Sequence, residues 1–203
     1  MSFFDTKNVG YAFIFVGVLL LIEAIGYIAA GFVDMDVALP EEITNKTPFF
    51  VITGVGAVLA ALIYIGYALS VKNLTKIDTL AGYVRVVGVT FAVTGIFSAI
   101  AMVFGYKDIG SGLGAGAIAL IITIVISFIL VFIAGKINDG KQTTGDKIIW
   151  VILLIAFILM VIAYIPFGTT DILSIINCVV HIIIAVFMIA YLFDPEVRQQ
   201  MNM

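Results

Sequence analysis

Residues 171–193 read DILSIINCVVHIIIAVFMIAYLF. A run of this length and apolarity spans a hydrocarbon core ~30 Å thick as one α-helix. Ser174, Asn177, Cys178 and His181 recur along it at three- and four-residue spacing, so they share one helix face. That face holds the chain's only histidine and only cysteine. Polar side chains are costly in hydrocarbon, so such a face turns toward protein or a water-filled cavity. The question for the rest of the chain is what this face meets.

Five further runs are long and apolar enough to span: 9–33, 48–71, 79–105, 112–135 and 148–167. The 203 residues are 63% hydrophobic and only 11% charged, where a soluble domain carries ~25% charged residues. The expected fold is therefore all-α, a polytopic membrane protein forming one bundle of six transmembrane helices over residues 1–203. Every gap between runs is too short for a soluble domain. The first run is too long for a signal-peptide core, contains Glu23 and lacks a clear cleavage site, so it is expected to stay in the protein. Asp78, Ser111, Asp146 and Asp171 are candidate N-caps. Thr47-Pro48 places a capping residue before a proline at a first helical position.

The basic residues set an orientation. Lys7, Lys72, Lys76, Arg85, Lys136, Lys141, Lys147 and Arg198 fall on one side, and Lys46 and Lys107 on the other. This asymmetry predicts a cell-membrane protein with both termini in the cytoplasm. Tyr11, Tyr67, Tyr83, Trp150 and Tyr191 would then lie near the inner interface, with Tyr106 and Tyr164 near the outer one. The outer side carries Asp34, Asp36, Glu41, Glu42, Asp108 and Asp171. These acids would form a cation vestibule or simply a solvated loop.

Small residues suggest how the helices meet. Gly110, Gly112, Gly114 and Gly116 form overlapping small-xxx-small pairs. Gly88 and Gly95, and Gly10 and Gly17, lie seven apart. Such faces allow close helix packing, within the chain or in a homo-oligomer. No phosphate-loop lysine follows the glycines. The segments 54–58 and 114–118 (GVGAV and GAGAI) resemble each other and would belong to a parallel repeat of two hairpins.

Depth along each helix follows from ~1.5 Å per residue. Glu23 and His181 each come out ~15 Å from the outer end, near the middle of a ~30 Å core. Thr94 and Thr123 come out ~17 Å from the same end. Four helices thus place a polar side chain at one level, and the fifth run places none. Thr90, Thr94 and Ser98 form one stripe, and Thr123 and Ser127 another. They would line a polar track or bond their own i−4 carbonyls. Glu23 needs a proton or a cation at that depth. Its expected partner is His181, oriented by Asn177, while Arg85 snorkels to the inner interface.

Several chemistries are excluded. The net charge of −3 forms no basic stripe, which argues against nucleic acid. One cysteine permits no internal disulfide and no CxxC redox pair. One histidine permits neither bis-histidine haem nor a three-ligand catalytic zinc site inside the membrane. No G-x-S-x-G elbow occurs. No cofactor and no metal are implied, and an enzyme is the weakest reading. Two readings remain. The first is a transporter or channel subunit with a proton or cation site at Glu23, His181, Asn177, Thr94 and Thr123. The second is a non-catalytic scaffold or accessory subunit whose polar layer is structural. The bilayer is the expected partner in both.

Overall fold

The computed structural model describes residues 4–33, 39–165 and 172–203. The expected N-cap Asp171, the outer-loop acids Asp34 and Asp36, and the end of the fifth run lie outside the described residues. Among the described residues the chain is all-helical and has no strand. The helices are α1 Thr6–Ala30, α2 Lys46–Val71, α3 Lys76–Gly105, α4 Ile109–Ile137, α5 Thr144–Ala163, α6 Ile172–Leu192 and α7 Pro195–Gln200. The first six are long and apolar enough to cross a membrane. The chain is a multi-pass integral membrane protein.

α1, α3, α4 and α5 begin three or four residues before the apolar runs. The starts of α3, α4 and α5 are specified by caps. Thr75 caps α3, accepting from the Asp78 backbone N–H at 3.2 Å while its hydroxyl donates to the Asp78 carboxylate at 2.6 Å. At α5 the Asp146 carboxylate accepts from the Thr143 N–H at 2.6 Å and its hydroxyl at 2.8 Å. Asp108 caps α4, accepting from the Ser111 N–H at 2.8 Å. That backbone hydrogen bond, aided by the Ser111 hydroxyl, holds the Asp108 carboxyl below the ordinary carboxylate range. Asp78, Asp146 and Ser111 are therefore third-position residues answering the cap, not caps themselves. α2 starts at Lys46 after Asn45, so Pro48 sits inside the first turn. Thr47 instead donates its hydroxyl to the Gly31 carbonyl at 2.7 Å, tying α2 to the end of α1.

The helices pack mainly in chain order: α1 on α2, α2 on α3, α3 on α4. α5 and α6 form a hairpin that leans on the rest chiefly through α6 against α1. The α3–α4 seam is closest. A Cβ added at Gly116 would lie 2.7 Å from the Ala99 carbonyl oxygen, and one at Gly112 equally close to the Met102 oxygen. Gly114, two residues away, faces open space. The equivalent glycines of the suspected repeat differ: Gly54 packs against α1 backbone, whereas Gly114 meets nothing. Gly10, Gly17, Gly88 and Gly95 also meet other helices of this chain. The glycine faces are thus largely used inside the protomer.

Both ends are tied. At one end Lys76 pairs with Asp194, Trp150 Nε1 donates to the Leu192 carbonyl at 2.8 Å, and α7 buries Val197 against the bundle. At the other, a short bridge joins Ile43 to Tyr106, and the N–H groups of Thr44 and Asn45 reach the Gly105 carbonyl. Between them Phe13 lies at the centre of a ring cluster with Tyr64, Tyr67, Tyr83 and Phe187, at centroid distances of 5.9–6.3 Å. Tyr83, Trp150 and Tyr191 are buried and Tyr67 is partly buried, so these rings pack inside the bundle. Tyr11 alone of that group is exposed. The outward surface is apolar: Ile118, Ile121 and Phe128 of α4 are exposed, as lipid contact requires.

Candidate functional site: a cavity between five helices

A cavity of about 430 Å³ lies between the α5–α6 hairpin and α1, α2 and α3. α4 contributes no lining residue. Each wall follows from local sequence. On α1, Glu23 and Tyr27 are four apart and share a face. On α6, Asn177 and His181 are also four apart, and so are Thr90 and Thr94 on α3. α2 supplies Thr53, Ala57 and Tyr64, and small alanines there leave room. The α5 end supplies Met160 and Tyr164.

Glu23 is 6% exposed, although it is a carboxylic acid within a 25-residue apolar helix. Asn177 Nδ2 donates to Glu23 Oε1 at 2.9 Å. The Asn177 backbone carbonyl lies 2.8 Å from His181 Nδ1. A carbonyl only accepts, so that contact places an imidazole proton on Nδ1. Glu23, Asn177 and His181 therefore form a connected series, with Asn177 as the link. Asn177, expected to orient the pair, hydrogen-bonds the acid directly. His181 is held flat against Tyr164, with ring centroids 3.9 Å apart and planes within 4°.

The expected polar layer is brought together in part. Glu23, Asn177, His181 and Thr94 all line the cavity. Thr123 does not: it is buried against Gly95 in the α3–α4 seam, and Ser127 follows it there. Thr90 donates to the Val86 carbonyl at 2.9 Å and Thr94 to the Thr90 carbonyl at 3.0 Å. These two hydroxyls satisfy themselves within α3, as hydroxyls in membrane helices commonly do. Cys178 and Ser174, on the same helix face as Asn177, are not among the lining residues.

Other lining residues carry weight that sequence reading does not assign to them. Tyr164 and Tyr83 read as interfacial aromatics, yet both face the cavity. Thr53 and Tyr64 also line it. Their hydroxyl oxygens are buried and have no hydrogen-bond partner among the described residues. An unsatisfied buried hydroxyl costs about 1–3 kcal/mol. Among the described residues no group of three or more His, Cys, Asp or Glu side chains could hold a metal ion.

No protein-family model matches this chain, and neither does any curated protein or solved structure.

Proposed function

We propose that the protein is a small transporter or channel subunit of the cell membrane, with both termini in the cytoplasm. Its proton or cation site is Glu23, held by Asn177 and flanked by His181 and Thr94. The observation that carries this reading is one acid, nearly inaccessible and held by a side-chain amide, on the wall of a cavity of about 430 Å³. Purely structural polar contacts between membrane helices need no such space. The orientation rests on the eight basic residues at the end that carries both termini.

The second reading is a scaffold or accessory subunit. It is favoured by the place of the Asn177–Glu23 bond, which joins α6 to α1, the main contact of the α5–α6 hairpin with the rest of the bundle. Flux separates the two. Purified protein in liposomes carrying an internal pH dye is expected to show pH-dependent flux, and Glu23→Gln should abolish it while leaving the melting profile near that of wild type. A wild-type protein that dissipates neither a proton nor a monovalent-cation gradient contradicts the proposal and leaves the scaffold reading.

A further inference from the structure

We infer that His181 takes up and releases a proton at Nε2, on the cavity side, and that Tyr164 is the positioning residue that holds the ring there. This deepens the transport reading and rests on the cavity being the route of the proton.

The two ring nitrogens are not equivalent. Nδ1 lies 2.8 Å from the Asn177 carbonyl, one turn back on α6. A carbonyl offers no proton, so Nδ1 keeps its own whether the ring is neutral or charged. The charge of the ring can then change in one place, at Nε2. That nitrogen has no hydrogen-bond partner among the described residues. The buried, unpartnered polar atoms are the hydroxyls of Thr53, Tyr64, Ser127 and Tyr191, and Nε2 is not one of them. It is open to free space, and the space that His181 lines is the cavity.

Tyr164 fixes the direction of the ring. A single hydrogen bond at Nδ1 does not set the plane of the imidazole. The Tyr164 ring does, lying flat against it with centroids 3.9 Å apart and planes within 4°. A cation within ~6 Å of a tyrosine ring centre is attracted to its face. The stack therefore accepts the charged ring as well as the neutral one.

The surroundings balance the charge. The cavity lining carries one carboxyl group, one imidazole and no lysine or arginine. The other titratable groups that face it are phenols: Tyr27 on α1, Tyr64 on α2, Tyr83 on α3 and Tyr164 on α5. Asn177 joins the acid to the ring, its amide on Glu23 Oε1 at 2.9 Å and its carbonyl on Nδ1. A charged His181 thus has a carboxylate for counter-charge one residue away, which offsets the cost of charge at this depth. Histidine is also the side chain whose ordinary titration falls between about pH 5 and 8.

The test uses the fact that the chain has one histidine. Isotope-labelled histidine in the full chain, prepared without a histidine tag, gives one pair of ring-nitrogen signals by solid-state NMR in liposomes. Across about pH 5 to 8, Nδ1 should bear a proton throughout, while Nε2 passes from bare to protonated as the pH falls. A neutral ring with its proton on Nε2 overturns the inference without needing any variant to fold. So does an Nε2 that never changes across that range. Tyr164→Leu should lower the preference for the Nδ1–H tautomer by about 2- to 10-fold, the range of an aromatic pair. Tyr164→Phe keeps the ring and should give the wild-type signals. Equal behaviour of the two variants overturns the positioning role. Protonation requires no translocation, so the two levels separate. A titrating Nε2 in a protein that passes no protons sustains the inference and rejects transport. Proton flux through a protein whose Nε2 never changes rejects the inference and leaves transport to Glu23.

Discussion

The contact between Asn177 and Glu23 can be measured as a coupling energy. Asn177→Ala removes the amide that donates to Glu23 Oε1 at 2.9 Å. It leaves the Asn177 backbone carbonyl, and with it the contact to His181 Nδ1, in place. Glu23→Ala removes the acceptor. Side-chain hydrogen bonds between membrane helices average about 0.6 kcal/mol and reach about 1.7 kcal/mol. Hydrogen bonds to a charged group contribute about 1.5–3 kcal/mol. With Glu23 only 6% exposed, solvent screens this bond little. The double-mutant cycle should therefore give a coupling of about 1–2 kcal/mol, above the average for neutral pairs. Repeating the cycle with Glu23→Gln separates charge from contact. Glutamine keeps an acceptor oxygen, so most of the contact survives and the coupling drops below about 0.6 kcal/mol. The assay is reversible unfolding in mixed dodecyl maltoside and dodecyl sulfate micelles, followed by far-UV circular dichroism. Glu23→Ala combined with Thr123→Ala serves as control. Thr123 sits in the α3–α4 seam and does not line the cavity, so those effects should add within about 0.5 kcal/mol. A Glu23–Asn177 coupling no larger than that control would refute the reasoning.

Two other expectations concern packing. Gly116→Ala places a methyl group 2.7 Å from the Ala99 carbonyl oxygen and should destabilise the bundle by about 1–3 kcal/mol. Gly114→Ala meets nothing within 4 Å and should be neutral or stabilising by up to about 1 kcal/mol; the same micelle unfolding assay reads both, and equal effects would mean that the seam is misplaced. Trp150→Phe removes the indole donor to the Leu192 carbonyl and should lower stability by about 1 kcal/mol. Thermal melting of the purified protein checks that value.

The membrane spans are legible in the sequence because hydropathy over twenty residues is a strong signal. The helix starts are less so. The apolar runs begin where the first polar turn ends, while the cap lies three residues upstream, as in Thr75-Lys-Ile-Asp78. That T-x-x-D spacing is itself the signal that would have set the boundary. The site divides in the same way. Depth follows from rise per residue, which is why Glu23, Asn177, His181 and Thr94 fall on one cavity. Rotation does not follow from depth. Thr123 has the expected level but faces Gly95. Tyr83 and Tyr164 sit near helix ends, where aromatic residues read as interfacial anchors. Only the tertiary arrangement turns Tyr83 into the Phe13 cluster and stacks Tyr164 on His181. The fifth run, which places no polar residue at mid-depth, reaches the site through the ring at its end.

Whether water reaches Glu23 is the most direct question, and a thiol on the cavity wall answers it. Cys178 is half-buried and does not line the cavity, so the probe belongs at Thr53→Cys in a Cys178→Ser background. Thr53 lies on α2 across the cavity from α6, and cysteine matches threonine closely in size. Leu59→Cys in the same background points outward on α2 and reports on lipid. Intact, oriented vesicles would be treated with a membrane-impermeant maleimide, and denatured protein would give the total. Thiols react as thiolates, which hydrocarbon suppresses. A hydrated cavity predicts rapid labelling of the cysteine at position 53 from one side of the membrane only, with none at position 59. Protection of both in the folded protein, with full labelling after denaturation, would contradict a substrate site and leave Glu23 and Asn177 as a dry contact between helices.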